Sequence, residues 1–378
     1  MKAYNETWVE NLNLKPKLIE YFQNSLLDAT EYRNGENELR EGFYRPNWWI
    51  KVGLFVFTLI AISFSSATLS LIFSIIDNET ALNIYLIISG IICVCLLEYL
   101  IKIKKLYGSG VDNAFIYSAI GFFASTLILH TPNASYFIPL ILLIILVPFF
   151  IRYSDLLVAF AIFVNFYLFV FLLSLEYSMG KTLLPFIFLI LSGSSYFLIK
   201  KYLKSIYYYK TKVLFEILSM LVFYLSGNYY IVREGNALIN DLNNGSEIPF
   251  GAVFWVLTFV IPGFFIFKAI NDKDKKILQM GFLTSALSVL TFWYYYIDIQ
   301  LEWNLTLAGM ALIGCSVLGL RLFKNTKANI NIKPEVKFRT QKMEAIFMSG
   351  LDQLSQSNSG NVQFGGGDFG GGGAQGEV

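Results

Sequence analysis

The sequence predicts an all-α fold: a polytopic membrane helix bundle of about ten transmembrane helices, with both termini on the cytoplasmic side. Three observations carry that reading. Ten apolar stretches of 17 to 25 residues follow one another (52–76, 80–101, 113–129, 135–151, 155–175, 182–199, 213–232, 250–267, 277–296 and 304–320), each near the length a helix needs to cross a hydrocarbon layer of roughly 30 Å. Charged residues make up 15% of the chain, against roughly 25% in soluble domains. The Lys and Arg residues also avoid every other gap. The even-numbered gaps hold 13 of the 29 basic residues, whereas the odd-numbered gaps hold only Lys181 and Arg233. Basic residues stay on the cytoplasmic side, so the pattern sets the orientation and the expected location is a bacterial inner membrane.

Taken in order, residues 1–48 read as a cytoplasmic segment with mixed charge. Pro16 suits the first turn of a helix in which Leu18, Ile19, Phe22 and Leu26 share one face. That helix either docks on the protein's own loops or serves as a partner site or interfacial anchor. Trp48 and Trp49 mark the membrane boundary, with Lys51 reaching back to the headgroups. Residues 49–323 form the membrane bundle. Its odd-numbered gaps are short, and only 233–249 has room for more than a turn, with Ala237–Leu242 as one surface helical turn. Aromatic clusters at 207–209, at Tyr229 and Tyr230, at 293–296 and at Trp303 are read as interfacial anchors.

Proline marks possible helix breaks at Pro139, Pro148, Pro185 and above all at Pro262-Gly263, where freed backbone groups resemble those of transporter sites. Asn165 sits halfway along the fifth stretch and calls for an interhelical hydrogen bond. Ser194 and Ser195, with their neighbours Ser192 and Gly193, either permit close helix approach or line a polar pathway together with Asn165 and Pro262. Glu98 and Glu216 lie near the cytoplasmic ends of their stretches, where each either pairs with a nearby lysine (Lys102 and Lys212) or helps line a vestibule. No Lys, Arg or His falls near a midplane, which weakens a proton-coupled or ion-coupled pump. His130 and Arg233 are the outer-face candidates for chemistry on a lipid or glycan. Cys93, Cys95 and Cys315 all fall within apolar stretches and suggest neither a disulfide framework nor a metal site. No catalytic residue and no cofactor is predicted.

Residues 324–355 form a basic juxtamembrane segment. The basic residues across 321–342 favour anionic lipids of the inner leaflet; nothing in the composition favours nucleic acid. Residues 356–378 have a composition that supports no core. They end in Phe364-Gly-Gly-Gly-Asp-Phe369-Gly-Gly-Gly-Gly-Ala-Gln-Gly-Glu-Val378. This ending resembles the Gly-rich tail of bacterial membrane proteins that carry TPM domains or accompany the LemA family, except that Val378 stands where those tails usually have Trp. The resemblance implies a cytoplasmic docking tail, with Phe364 and Phe369 as its anchors, and implies no enzymatic activity. The ten-span body is similar in texture to polytopic inner-membrane proteins of Bacteroidetes-type bacteria.

Three functional classes follow. The first expectation is a membrane scaffold or complex subunit that recruits cytoplasmic partners through its tails. The alternative is a transporter or flippase for a neutral or amphiphilic substrate, and the third is an interfacial enzyme acting on lipids or glycans.

Overall fold

The computed structural model describes residues 2–23, 28–72, 79–128, 136–240, 248–272 and 274–296, with four further positions between 306 and 313. Apolar runs of the lengths given above have one economical solution in hydrocarbon, the helix, because it satisfies its backbone within one segment. The described residues accordingly form twelve α-helices: α1 Glu6–Gln23, α2 Ala29–Glu38, α3 Trp48–Ile72, α4 Glu79–Lys104, α5 Val111–Ile128, α6 Phe137–Tyr153, α7 Leu156–Leu175, α8 Ser178–Tyr202, α9 Tyr209–Gly227, α10 Tyr229–Ile239, α11 Gly251–Asp272 and α12 Lys275–Tyr296. Consecutive helices pack as hairpins (α4 with α5, α6 with α7, α8 with α9, α11 with α12), and α3 and α9 extend the bundle by leaning on α5 and α7. All twelve belong to the unit Met1–Asp298.

Seven of the described helices, α3, α4, α5, α7, α8, α11 and α12, are long and apolar enough to cross a membrane. This is the helix set of a multi-pass membrane protein. The fourth stretch corresponds to the shorter α6, whose 17 residues pack along α7. The seventh stretch differs more, because it ends at Gly227 and α10 departs from α9 at 73°. Counted as one broken span, this pair raises the number to eight. The tenth stretch falls largely outside the described residues, as do His130, Cys315, the basic segment and the tail.

The N-terminal segment is seated against one end of the bundle. Helix α1 begins at Glu6, ten residues before Pro16, and runs through that proline. Its docked face is Val9, Leu12 and Asn13, all buried, while Ile19 and Phe22 stay exposed. The expected apolar face was therefore misplaced: of that set Leu18 and Phe22 meet α2, at Gly35 and at the Tyr32 ring, and Leu26 lies outside the described residues. Docking is directed by polar anchors. Asn13 donates from its side-chain amide to the Ile206 carbonyl at 2.9 Å, and Ala3 donates its backbone N–H to the Arg152 carbonyl at 3.0 Å.

Tyr4 is the deepest of these anchors. Its ring lies edge-on to Tyr107 and Tyr153, and its hydroxyl donates to Asp112 Oδ2 at 3.0 Å. Asp112, 1% exposed, also accepts from the backbone N–H groups of Gly108 (2.7 Å) and Ser109 (2.8 Å) and from the Ser109 hydroxyl (3.0 Å). The loop that aims these donors needs glycine, since Gly110 has φ +96° and a Cβ there would run into the Lys51 carbonyl. Burial, and next the negative charge of Asp112, hold the Tyr4 hydroxyl well above the ordinary tyrosine pKa. Burial likewise raises Tyr107.

Tyr4→Phe is expected to cost about 1.5–3 kcal/mol, the range for a hydrogen bond to a charged group, read as a lower unfolding midpoint and faster proteolysis ahead of α3. Because the folded-state pKa of Tyr4 is raised, its contribution is complete below the unfolded value of about 10 and falls as pH rises beyond it. Proteolysis of the wild-type N-terminal segment should therefore accelerate above that pH, and the Phe variant should lose that pH dependence.

Candidate functional site

The sequence Ser226-Gly227-Asn228 opens the seventh apolar stretch at its far end. Asn228 is a strong N-cap, and its side-chain oxygen accepts from the Ile231 N–H at 3.2 Å. It thereby starts α10 where α9 stops. A helix break inside a bundle leaves backbone groups to be satisfied by neighbours. Here the Tyr229 N–H donates to the Thr258 hydroxyl of α11 at 2.9 Å.

Thr258 also resolves a second defect. Pro262 has no N–H, so the Thr258 carbonyl four residues earlier loses its helical partner. The Ser288 hydroxyl of α12 donates to that carbonyl at 2.6 Å. The same hydroxyl lies 2.9 Å from the Tyr224 hydroxyl, and Asn228 donates to Tyr224 Oη at 2.8 Å and to Thr291 Oγ1 at 2.9 Å. Tyr224, Asn228, Thr258, Ser288 and Thr291 are all buried. They form one polar cluster across α9, α11 and α12.

With these groups satisfied, α10 folds across the end of the bundle. Its Val232 packs with Ile248 and Phe254, while Leu238 is exposed. Aromatic residues pin its start: Tyr229 stacks on Trp255 at 4.6 Å, and the Arg233 guanidinium sits 4.8 Å above the Tyr295 ring. Glu234 accepts from the Tyr295 hydroxyl at 2.9 Å.

Two cavities lie one after the other along the seam where α8, α9 and α11 meet, and their linings adjoin on α9 at Val222 and Phe223. The larger, of about 320 Å³, lies beneath α10. Phe171, Leu184, Phe188, Val222 and Phe254 supply apolar wall, and Lys181, Ser226 and Asn236 supply polar groups. The smaller, of about 70 Å³, lies toward the other end of the same helices, between Ser192, Tyr196, Ser219, Phe223, Phe264 and Lys268. Along α8 and α11 the interval between the cavities holds Leu189, Leu257 and Ile261, which converge on Gly227. A Cβ at that glycine would press on Ile261.

The residues singled out from sequence fall in several places. Ser192 and Gly193 line the smaller cavity; Ser194 is exposed and Ser195 half-buried. Pro262 is buried in the seam, yet α11 continues through it as one helix. The break predicted there occurs at Asn228 instead, because Ser288 takes up the carbonyl that the proline frees. Asn165 turns back to its own helix, donating to the Ala161 carbonyl at 2.8 Å, where an interhelical bond was expected.

Glu98 and Glu216 have different partners. Glu98 accepts from Arg152 Nε at 2.5 Å and from the Tyr153 hydroxyl at 2.7 Å, in place of the expected Lys102. Glu216 lies 3.9 Å from Lys212. Of the predicted helical turn at Ala237–Leu242, Ala237 to Ile239 form the end of the longer α10, and Leu242 lies outside the described residues. Cys93 is buried and Cys95 exposed, both as free thiols, and no group of three or more His, Cys, Asp or Glu suited to a metal ion occurs among the described residues. Asn228, Thr258 and Ser288 were missed by sequence reading, although a Gly-Asn pair inside an apolar run is a stop-and-restart signal for a helix. Comparison with family models, curated proteins and solved structures finds no match to this chain.

Thr258→Val keeps the shape and removes the acceptor for the Tyr229 N–H. The expected loss is about 1–3 kcal/mol for the stranded buried donor, measured as a lower unfolding midpoint in detergent. Thr258→Ser retains the hydroxyl and should stay close to wild type. A loss in Thr258→Ser with none in Thr258→Val would show that packing of the methyl group, not the hydrogen bond, sets the effect.

Proposed function

We propose that the protein is a transporter or flippase for an amphiphile, which moves along the α8–α9–α11 seam. The observation that carries this reading is the pair of successive cavities along one three-helix seam, separated on α8 and α11 by Leu189, Leu257 and Ile261. An amphiphile suits the larger cavity, whose wall is mostly aromatic and aliphatic with a few polar groups at Lys181, Ser226 and Asn236. Apolar contacts hold the chain portion and the polar groups orient the head. The bent α9–α10 pair supplies the kind of discontinuous helix on which transporter sites are built. The charge pattern of the gaps supports an orientation with the basic end in the cytoplasm of a bacterial inner membrane. The larger cavity then belongs to the outer leaflet.

A second reading, as a scaffold that recruits cytoplasmic partners, is supported by the N-terminal hairpin. Helix α2 has no buried residue, and Ile19, Tyr21 and Phe22 of α1 are exposed beside it. Its test is a pulldown from gently solubilised membranes that compares the full chain with one ending at Ser355. Partners lost on truncation would establish recruitment through the tail.

The transport reading is tested in proteoliposomes containing a fluorescent phospholipid, with a membrane-impermeant quencher reporting the outer-leaflet fraction. The full chain should equilibrate the probe between leaflets, and Ser226→Phe, which fills the larger cavity, should slow that exchange at least about tenfold while the protein stays monodisperse. Rates equal to protein-free vesicles, or an unaffected Ser226→Phe variant, would overturn it.

A further inference from the structure

The larger cavity carries a charge that packing of the seam does not explain. Lys181 is one of only two basic residues in the odd-numbered gaps. The other, Arg233, is engaged over the Tyr295 ring. Lys181 lines the cavity, half-buried, and its ammonium has no hydrogen-bond or ion-pair partner among the described residues. It also stands in the first turn of α8, which holds no acidic residue, and the N-cap Tyr177 supplies no side-chain hydrogen bond there. A cation at that end of a helix opposes the macrodipole. An unpaired ammonium beside an apolar wall is unfavourable for a second reason, and one anion would relieve both.

The other polar groups of the cavity are consistent with that sign. Ser226 donates its hydroxyl hydrogen to the Val222 carbonyl at 2.6 Å. Asn236 accepts from Asn240 through Oδ1 at 2.9 Å, which leaves its side-chain N–H groups unused. Free hydrogens are therefore offered by Lys181 and Asn236, which come from two helices that pack together, α8 and α10. No Asp or Glu lines the cavity among the described residues. Glu176, at the end of α7, is exposed, and Glu234 accepts from the Tyr295 hydroxyl. Along α8 the wall changes from Lys181 and Thr182 through Pro185 to Phe188, a rise of about 10 Å from charge to aromatic interior.

We infer that the larger cavity takes an amphiphile with an anionic head, a carboxylate or a phosphate, on one acyl tail. The head lies between Lys181 and Asn236, and the tail runs along Phe188 and Phe254. A volume of about 320 Å³ is at the small end of ligand sites, which suits a single tail. The inference rests on the transport reading of the same seam and deepens it by naming the charge of the substrate. Binding is measured without movement, so the two fail separately.

The test uses the purified full-length protein in a non-ionic detergent, titrated with palmitate, palmitoyl lysophosphatidylglycerol and palmitoyl lysophosphatidylcholine, which share one tail. Bound copies are counted by native mass spectrometry, with the unfolding midpoint followed alongside. One copy of an anionic amphiphile should be held about tenfold more tightly than the phosphatidylcholine analogue. Lys181→Gln should bring all three to one affinity, and Lys181→Arg should keep the preference, which separates loss of charge from loss of fold. Ser226→Phe should exclude all three. Lys104→Gln, which alters an exposed lysine at the end of α4, should behave as wild type. Tighter retention of palmitate would assign a carboxylate head, and tighter retention of the phosphatidylglycerol analogue a phosphate; either meets the expectation.

Equal affinity of the wild type for all three heads would overturn the inference, as would a preference that survives Lys181→Gln or falls equally in Lys104→Gln. Stabilisation by inorganic phosphate, with neither anionic amphiphile retained, would overturn the amphiphile assignment. A preference that depends on Lys181 in a protein that moves no lipid would leave this site standing and remove transport. Lipid exchange with no preference for an anionic head would do the reverse.

Discussion

A backbone group that loses its partner in hydrocarbon is costly, and two such groups meet at Thr258. Its hydroxyl receives the N–H freed where α9 gives way to α10, and its carbonyl, freed by Pro262, is taken by Ser288. Each defect would be unfavourable alone. Together they hold α10 across the end of the bundle, and the larger cavity exists because α10 roofs it. The Asn228, Tyr224 and Thr291 side chains complete the set, so the polar cluster is closed on itself and needs no water from the lipid side.

The opposite end of the molecule depends on a different kind of polar closure. There, Asp112 gathers four donors, one of them from Tyr4. Asp155 caps α7 while accepting from Asn113 at 2.7 Å and Tyr117 at 3.1 Å. Glu98 holds Arg152 and Tyr153. Glu98 thus ties α4 to α6 and Asp155 ties α5 to α7, while Asp112 fixes the loop before α5 and ties down the N-terminal segment. The surface ion pairs of that segment, such as Lys15 with Glu41 at 3.2 Å, add little by comparison.

Much of this was legible in the residue order, and the failures have physical causes. The spans at α4, α7, α8, α11 and α12 could be read because long apolar runs end at charge. The bend at Asn228 was hidden because Tyr229 to Val232 continue the apolar character past the break, and hydropathy records composition, not direction. Pro262 drew attention for the right chemistry but the wrong outcome: its freed carbonyl is repaired by Ser288, thirty residues from Thr258 in sequence. Asn165 satisfies itself on its own helix, an option that sequence spacing always leaves open. Tyr4 and Asp112 are 108 residues apart; neither carries a local pattern that announces the other. The cavities arise from the joint shape of three helices, and no single helix encodes them.

The seat of Tyr4 has a consequence for how the chain is made. Its walls come from Tyr107, Asp112 and Tyr153, and Tyr207 anchors the same end by donating to the Arg152 carbonyl at 3.0 Å. Tyr207 leaves the ribosome some 200 residues after Tyr4, roughly 10 to 40 seconds later at ordinary synthesis rates. During that interval α1, with its apolar Val9 and Leu12, has no finished surface to cover it. A segment synthesised some 200 residues before its seat is complete is thus among the last to be seated, and it is left waiting at the membrane surface, where chaperones or neighbouring nascent helices compete for it.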